Sequence, residues 1–206
     1  MIQVNGVSKQ LGPQTVFRRL AFEWGPRGAI CVCGPNGSGK TTLLSMLAGA
    51  SAPTAGDIVL HGRSLVHAYQ AALELVSYVP DGCPVYPFLS GREWLDFVKS
   101  IRPCDLERER ELLERFGIAH LLDMRIDSMS LGTARKFMLT AGLICEAAIL
   151  ILDEPTNGLD LASFEVLRDV LARHRQHGLV VLSCHDPAQQ RQLDVTAVQL
   201  HSLEAQ

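Results

Sequence analysis

The chain has 206 residues, 47% hydrophobic and 20% charged, and its 19 basic against 22 acidic side chains leave a formal net charge of −3. That is ordinary globular composition, with enough chain for one large domain and a full apolar core. No long basic run offers a salt-sensitive grip on nucleic acid, and the longest apolar runs, such as Ala147–Leu152, are far too short to span a bilayer. Polar residues break up Met1–Lys9, so no secretory signal is expected, and any membrane role must come through a partner. The cysteines (Cys31, Cys33, Cys83, Cys104, Cys145 and Cys184) lack paired metal-ligand spacing and read as buried thiols in a reducing cytosol, with Cys31 and Cys33 on one side of a strand.

Met1–Trp24 reads as short strands and turns, with Gly12-Pro13 at a turn and Val16, Leu20 and Phe22 able to face a core. Gly25-Pro26 then leads into an apolar strand at Ala29–Cys33. The next segment, Gly34-Pro35-Asn36-Gly37-Ser38-Gly39-Lys40-Thr41, fits the P-loop pattern and opens a helix expected to run to about Gly49. Its glycines let successive N–H groups turn inward onto phosphate oxygens. Lys40 brings a compact charge to the β- and γ-phosphates, Thr41 a hydroxyl for Mg²⁺, and Thr42 extends the set along the helix. This stretch predicts a bound nucleotide.

Further on, Asp57–Leu60 reads as a strand, Leu65–Leu75 as a helix, and Val76–Val79 as a short strand stopped by Pro80. The loop Asp81–Leu89 exposes Tyr86 and Phe88, and Ser90-Gly91-Arg92-Glu93 has the spacing of a capping box. Trp94, Leu95, Val98 and Ile101 recur at helical intervals, and Asp105–Phe116 is a second helix whose charges read as a solvated face. A helix begins at Ser130, and the apolar run Ala147–Leu152 ends in Asp153-Glu154-Pro155. Phe164, Leu167 and Leu171 stripe another helix, and Leu179–Leu182 is the last clear buried strand, running into Ser183-Cys184-His185. Buried strands alternating with helices predict an α/β fold with a covered parallel sheet.

In such a sheet ligands bind beyond the carboxyl ends of the strands. Three of those ends carry polar groups here: the P-loop, Asp153-Glu154 and His185. Asp153 suits Mg²⁺ directly or through water, Glu154 is placed to polarise an attacking water, and His185 is a candidate γ-phosphate sensor.

Other segments carry a family resemblance. Ser130-Leu131-Gly132-Thr133 resembles the ABC signature, Pro155-Thr156-Asn157-Gly158-Leu159-Asp160 the segment running into the D-loop, and Ser183-Cys184-His185 the switch-histidine motif. Their order and spacing across nearly the whole chain are similar to those of an ABC transporter ATPase subunit.

The resemblance implies a P-loop NTPase of ABC type: a parallel-sheet core, an antiparallel β subdomain, and a small helical subdomain at about 90–128. It implies ATP and Mg²⁺ as cofactors and a head-to-tail dimer burying two ATP molecules. Lys40 and Thr41 of one chain would then face Ser130 and Gly132 of the other. Glu154 would be the base, His185 the γ-phosphate contact, and Asp160 would act across the interface. The partners would be a second copy and a separate transmembrane permease, docked at Tyr86–Arg92, with the chain cytoplasmic and peripheral on the inner face of the cell membrane.

Four positions depart from the family pattern. Leu11 stands where the adenine-stacking aromatic is expected, with Phe17 as the substitute ring. Asp81 replaces the Q-loop Gln and becomes a candidate Mg²⁺ ligand, and Leu131 and Thr133 replace Gly and Gln. These features resemble ABC-2-type bacterial exporters, while the compact length is similar also to the haem-exporter ATPase of cytochrome c maturation. A soluble non-transport ABC ATPase, or a regulatory subunit with weakened hydrolysis, is the alternative.

Overall fold

The computed structural model describes residues 1–82 and 86–204; Cys83 lies outside the described residues. The chain opens with the hairpin of β1 (Ile2–Leu11) and β2 (Gln14–Trp24). Both strands are longer than the sequence suggests, because shifts in their pairing register break the alternation by which strands are recognised. Of the residues expected to face a core, Leu20 is fully buried and Val16 and Phe22 only partly, while Phe17 and Trp24 are buried instead. β3 (Gly28–Cys33) runs into the glycine-rich loop and α1 (Lys40–Leu47), with Gly49 in the left-handed region just past the cap.

β4 (Ala55–Leu60) and β5 (Arg63–Ser64) extend the hairpin into an antiparallel sheet of order β2-β1-β4-β5. The helix expected over Leu65–Leu75 shrinks to α2 (Tyr69–Leu73). Ser64 Oγ accepts from the backbone N–H groups of Val66 and His67 and holds that stretch in a turn.

After β6 (Val76–Val79), α3 (Gly91–Ile101) starts with the expected capping box, Ser90 and Glu93 each bonding the other's backbone N–H. Ile101, expected on the apolar face, is instead 64% exposed at the end of the helix. α4 (Leu106–Arg115) is capped by Asp105. Then come α5 (Leu131–Leu143), β7 (Ile149–Leu152), α6 (Leu161–His174), β8 (Leu179–Ser183), α7 (Pro187–Gln192) and β9 (Thr196–Gln199). The charges of α4 do more than meet solvent: Arg115 reaches Glu111 and Asp169, and Arg173 reaches Glu111 at 2.8 Å, lacing α4 to α6.

The second sheet is parallel throughout, in the order β6-β7-β8-β3-β9. Its side chains alternate between two cores. Cys31, Leu150, Leu152, Val180 and Leu182 meet Phe137, Leu139, Phe164 and Leu167 of α5 and α6. Val32, Ile149, Ile151, Leu179 and Val181 meet Leu43, Leu44 and Leu47 of α1 and Ile2 and Leu20 of the hairpin. Burial on both faces explains why these strands read as continuous apolar runs. The described cysteines are free thiols, and the sulfurs of Cys31 and Cys33 lie 3.8 Å apart on one side of β3.

Candidate active site

Because β6, β7, β8 and β3 are neighbours, four carboxyl-terminal strand ends open side by side. β3 delivers the glycine-rich loop, β6 delivers Asp81, β7 delivers Asp153 and Glu154, and β8 delivers His185. Together they line a cavity of about 370 Å³ with Asn36, Gly37, Gly39, Lys40, Thr41, Thr42, Asp81, Glu154 and His185 in its wall, completed by Leu11, Gln14 and Val16 from the hairpin.

The loop holds its shape through backbone that few residues adopt. Gly39 has φ 104°, and a Cβ there would stand 2.7 Å from the Phe17 ring. Phe17, 2% exposed, is thus packed beneath the loop, where it lines a second cavity with Gly34, Pro35 and Ser38. This corrects its reading as a substitute base-stacking ring: the ring supports the loop, and Leu11, Gln14 and Val16 are the hairpin residues that line the cavity. Lys40, 7% exposed, donates from Nζ to the carbonyls of Gly34 at 2.9 Å and Pro35 at 3.1 Å. Those contacts hold the ammonium over the loop, where a phosphate would compete for it.

The carboxylates are anchored from β8. Ser183 Oγ donates to Asp153 Oδ1 at 2.6 Å and accepts from Glu154 N at 2.8 Å, so one buried hydroxyl fixes both residues. Glu154 sits at φ 45°, unusual for a residue with a side chain, and its carboxylate oxygens have no aligned hydrogen-bond donor. His185 Nε2 lies 3.0 Å from Glu154 Oε1, at the distance but without the alignment of a hydrogen bond. Burial pushes the Glu154 carboxyl up from its ordinary value, opposed by His185, the nearby Ser183 hydroxyl and Lys40 and aided by Asp153.

Asp153 is fully buried and stands behind the cavity wall, and its Oδ2 has no partner. An orphaned carboxylate oxygen on the strand end that also carries Glu154, with Thr41 and Asp81 in the cavity wall, is of the donor chemistry a hard cation such as Mg²⁺ takes, Asp153 reaching it through water. Asp81 Oδ1 accepts from Asn157 Nδ2 at 3.2 Å, which ties it to the segment after the carboxylates.

Ser130 and Gly132 are not brought into this cavity. Ser130 caps α5, accepting from Thr133 N at 3.2 Å, and Gly132 lies so close to Gly158 that a Cβ would come within 2.9 Å of the Gly158 carbonyl oxygen. Asp160 accepts from Ser163 N at 2.8 Å and pairs with Lys136 at 2.9 Å, which lowers its carboxyl to about 2. Asp160 is thus anchored within its own chain.

Two contributors escaped the sequence reading. The bridging role of Ser183 was signalled only by a hydroxyl ending an apolar strand. Arg135, 5% exposed, donates to the carbonyls of Asp153 at 2.8 Å, Glu154 at 2.9 Å and Pro80 at 2.5 Å. Its signal was a charge sharing a helix face with Met138 and Leu139.

The ABC transporter family matches residues 17–157. Among known proteins, the cytochrome c biogenesis ATP-binding export protein CcmA of Paramagnetospirillum magneticum is 38% identical over 197 residues, 91% of each chain. CcmA of Rhodospirillum rubrum is 34% identical over 84% of this chain and 75% of its own. The uncharacterized ABC transporter ATP-binding protein YhcH of Bacillus subtilis is 30% identical over 90% of this chain, which spans 62% of YhcH. Among solved structures, an ATP-binding subunit of an ABC transporter superposes with a TM-score of 0.88 at 24% identity, over 100% of this chain and 88% of that one. The dimeric post-hydrolysis state of the ATP-binding cassette MJ0796, bound to ADP and Pi, gives 0.79 at 19% identity over 93% and 91% of the two chains. At these identities the structural likeness speaks to the fold alone.

Proposed function

The chain belongs to the ABC transporter family as an ATP-binding ATPase subunit, and on that footing we propose that it hydrolyses MgATP as a head-to-tail homodimer to drive export through a separate membrane permease. The observation that carries the reading is the convergence of Lys40, Thr41, Asp81, Glu154 and His185 on one cavity from four adjacent strand ends.

The loop N–H groups and Lys40 take the phosphates, and Thr42 adds a hydroxyl on the same helix. Thr41, with Asp153 and Asp81 behind water, would hold Mg²⁺, which offsets phosphate charge when bound. Glu154 accepts a proton from the attacking water, suited to that task by donor-free oxygens and a raised carboxyl. His185 stands beside it to meet the γ-phosphate.

Ser130 and Gly132 lie outside the cavity, as residues serving a partner's nucleotide must. Beside them Leu131 and Leu161, each 76% exposed, are apolar surface for a second copy to cover. The segment from about 90 to 128, with α3 and α4, acts as the helical subdomain. Among the described residues no helix is long and apolar enough to cross a membrane. Tyr86 and Phe88, 55% and 59% exposed with ring centroids 5.6 Å apart, are the anchors for a permease that holds the chain at the inner membrane face.

The test is co-purification of the full chain with its permease from membranes, with partner-stimulated hydrolysis as readout. Replacing Tyr86 and Phe88 with Ala should weaken the complex while nucleotide affinity of the isolated chain holds. A double variant that keeps its complex overturns the docking assignment, and hydrolysis that no co-purified permease binds or stimulates overturns the transport reading.

A further inference from the structure

We propose that Arg135 is a positioning residue for hydrolysis, a guanidinium that holds the backbone of Glu154 and of the Asp81 loop in register with each other. Its Nη2 is shared by the carbonyls of Asp153 and Glu154, and its Nη1 takes the carbonyl of Pro80. These three carbonyls belong to the exits of β7 and β6, neighbouring strands with paired registers from Val76 with Ile149 to Val79 with Leu152. One planar fork therefore spans the two exits that carry Glu154 and Asp81.

The strained backbone gives this contact its meaning. Glu154 has φ 45°, a conformation that costs energy for any residue with a Cβ and persists only where its surroundings impose it. Its N–H is held by Ser183 Oγ and its carbonyl by Arg135, so the peptide units on both sides of the residue are fixed. Loosening the carbonyl side lets φ and ψ relax, and the carboxylate swings away from His185 and from the position of the attacking water. Arg135 touches no substrate; it acts through Glu154. Because α5 opens at Ser130 and Arg135 sits on that helix, a shift of α5 changes the hold on Glu154.

Lysine retains the charge but offers a single ammonium centre, which cannot reproduce the fork. Glutamine retains one donor group and no charge. The inference rests on Glu154 as the base, so Glu154→Gln is measured alongside. In steady-state MgATP hydrolysis by the purified full chain, Arg135→Lys and Arg135→Gln should each lose on the order of 10-fold or more in kcat with KM within about twofold. Millimolar methylguanidinium should restore part of the rate to Arg135→Ala, whereas tetramethylammonium at equal ionic strength should not. If Arg135→Lys is folded by circular dichroism and keeps wild-type kcat while Glu154→Gln is inactive, the inference is overturned and the base assignment survives. A parallel loss of nucleotide affinity and thermal stability, with no rescue of Arg135→Ala by methylguanidinium, makes Arg135 merely structural and also overturns it. Wild-type turnover by Glu154→Gln removes the base assignment itself, and the inference with it.

Discussion

Glu154 Oε1 and His185 Nε2 lie 3.0 Å apart although they leave different strands, β7 and β8, and the carboxylate has no aligned donor. The arrangement sets a carboxylate rich in acceptors beside an imidazole, as the proposed pairing of a base with a γ-phosphate contact requires. It exists because Ser183, on the strand that ends next to His185, holds the backbone N–H of Glu154.

A buried carboxylate without donors has a cost in stability. Below the unfolded value near 4.5 the two states carry the same proton; above it the unfolded chain releases the proton first, so stability is lost as pH rises through the raised folded value. Glu154→Gln should therefore melt higher than wild type at pH 7, with the gap narrowing toward pH 4. Calorimetric melts that coincide at every pH would contradict this.

His174, on α6, is 6% exposed, and burial lowers its ring to about 4, with His177 and Arg108 adding to the shift. Between about 4 and 6.5 the unfolded chain binds the proton more readily, so stability is present above 6.5 and falls as pH drops through this window. His174→Gln should flatten the decline in unfolding free energy between pH 7 and 4.5, by about 2–3 kcal/mol at the acid end. An unchanged decline would show that other groups govern it.

Leu11 lines the nucleotide cavity and Phe17 is turned beneath the loop, so no described aromatic ring is in that cavity wall. Base stacking on an aromatic ring is worth roughly 1–3 kcal/mol by analogy with nucleic-acid sites. GTP should compete well with ATP in wild type, and Leu11→Tyr should tighten purine binding severalfold and change the ratio. Equal discrimination by both proteins in competition binding would count against this.

Asp81 accepts from Asn157 and lines the cavity. An ionised Asp is only an acceptor and is shorter than Gln, so in the proposed site it would reach Mg²⁺ through a water. Asp81→Ala should raise the Mg²⁺ concentration needed for half-maximal hydrolysis and cut partner-stimulated turnover, with little change in nucleotide binding. Asp81→Asn separates charge from shape. Full stimulated activity of both variants at low Mg²⁺ would leave Asp81 an ordinary loop residue.

The sequence was most legible where one physical demand dominates. Leu179–Leu182 is buried on both faces and reads as an apolar run; Ser90 and Glu93 cap at fixed spacing; Gly39 fits a loop that no Cβ allows. β9 was missed because it is exposed at Thr196, Ala197 and Gln199 and shows no alternation. Phe17 was misplaced because β2 pairs with shifted register, so counting residues did not reveal which face its ring takes. Arg135 was invisible for another reason: its hold on the two strand exits runs through main-chain carbonyls, which leave no mark on side-chain pattern.

The account turns on Glu154 as the base, and single-turnover hydrolysis of MgATP by Glu154→Gln tests it most directly. The variant should bind ATP as wild type does, lose on the order of 10²–10⁴-fold in rate, and accumulate as an ATP-bound dimer on size exclusion. Hydrolysis at the wild-type rate, with no trapped dimer, would contradict it.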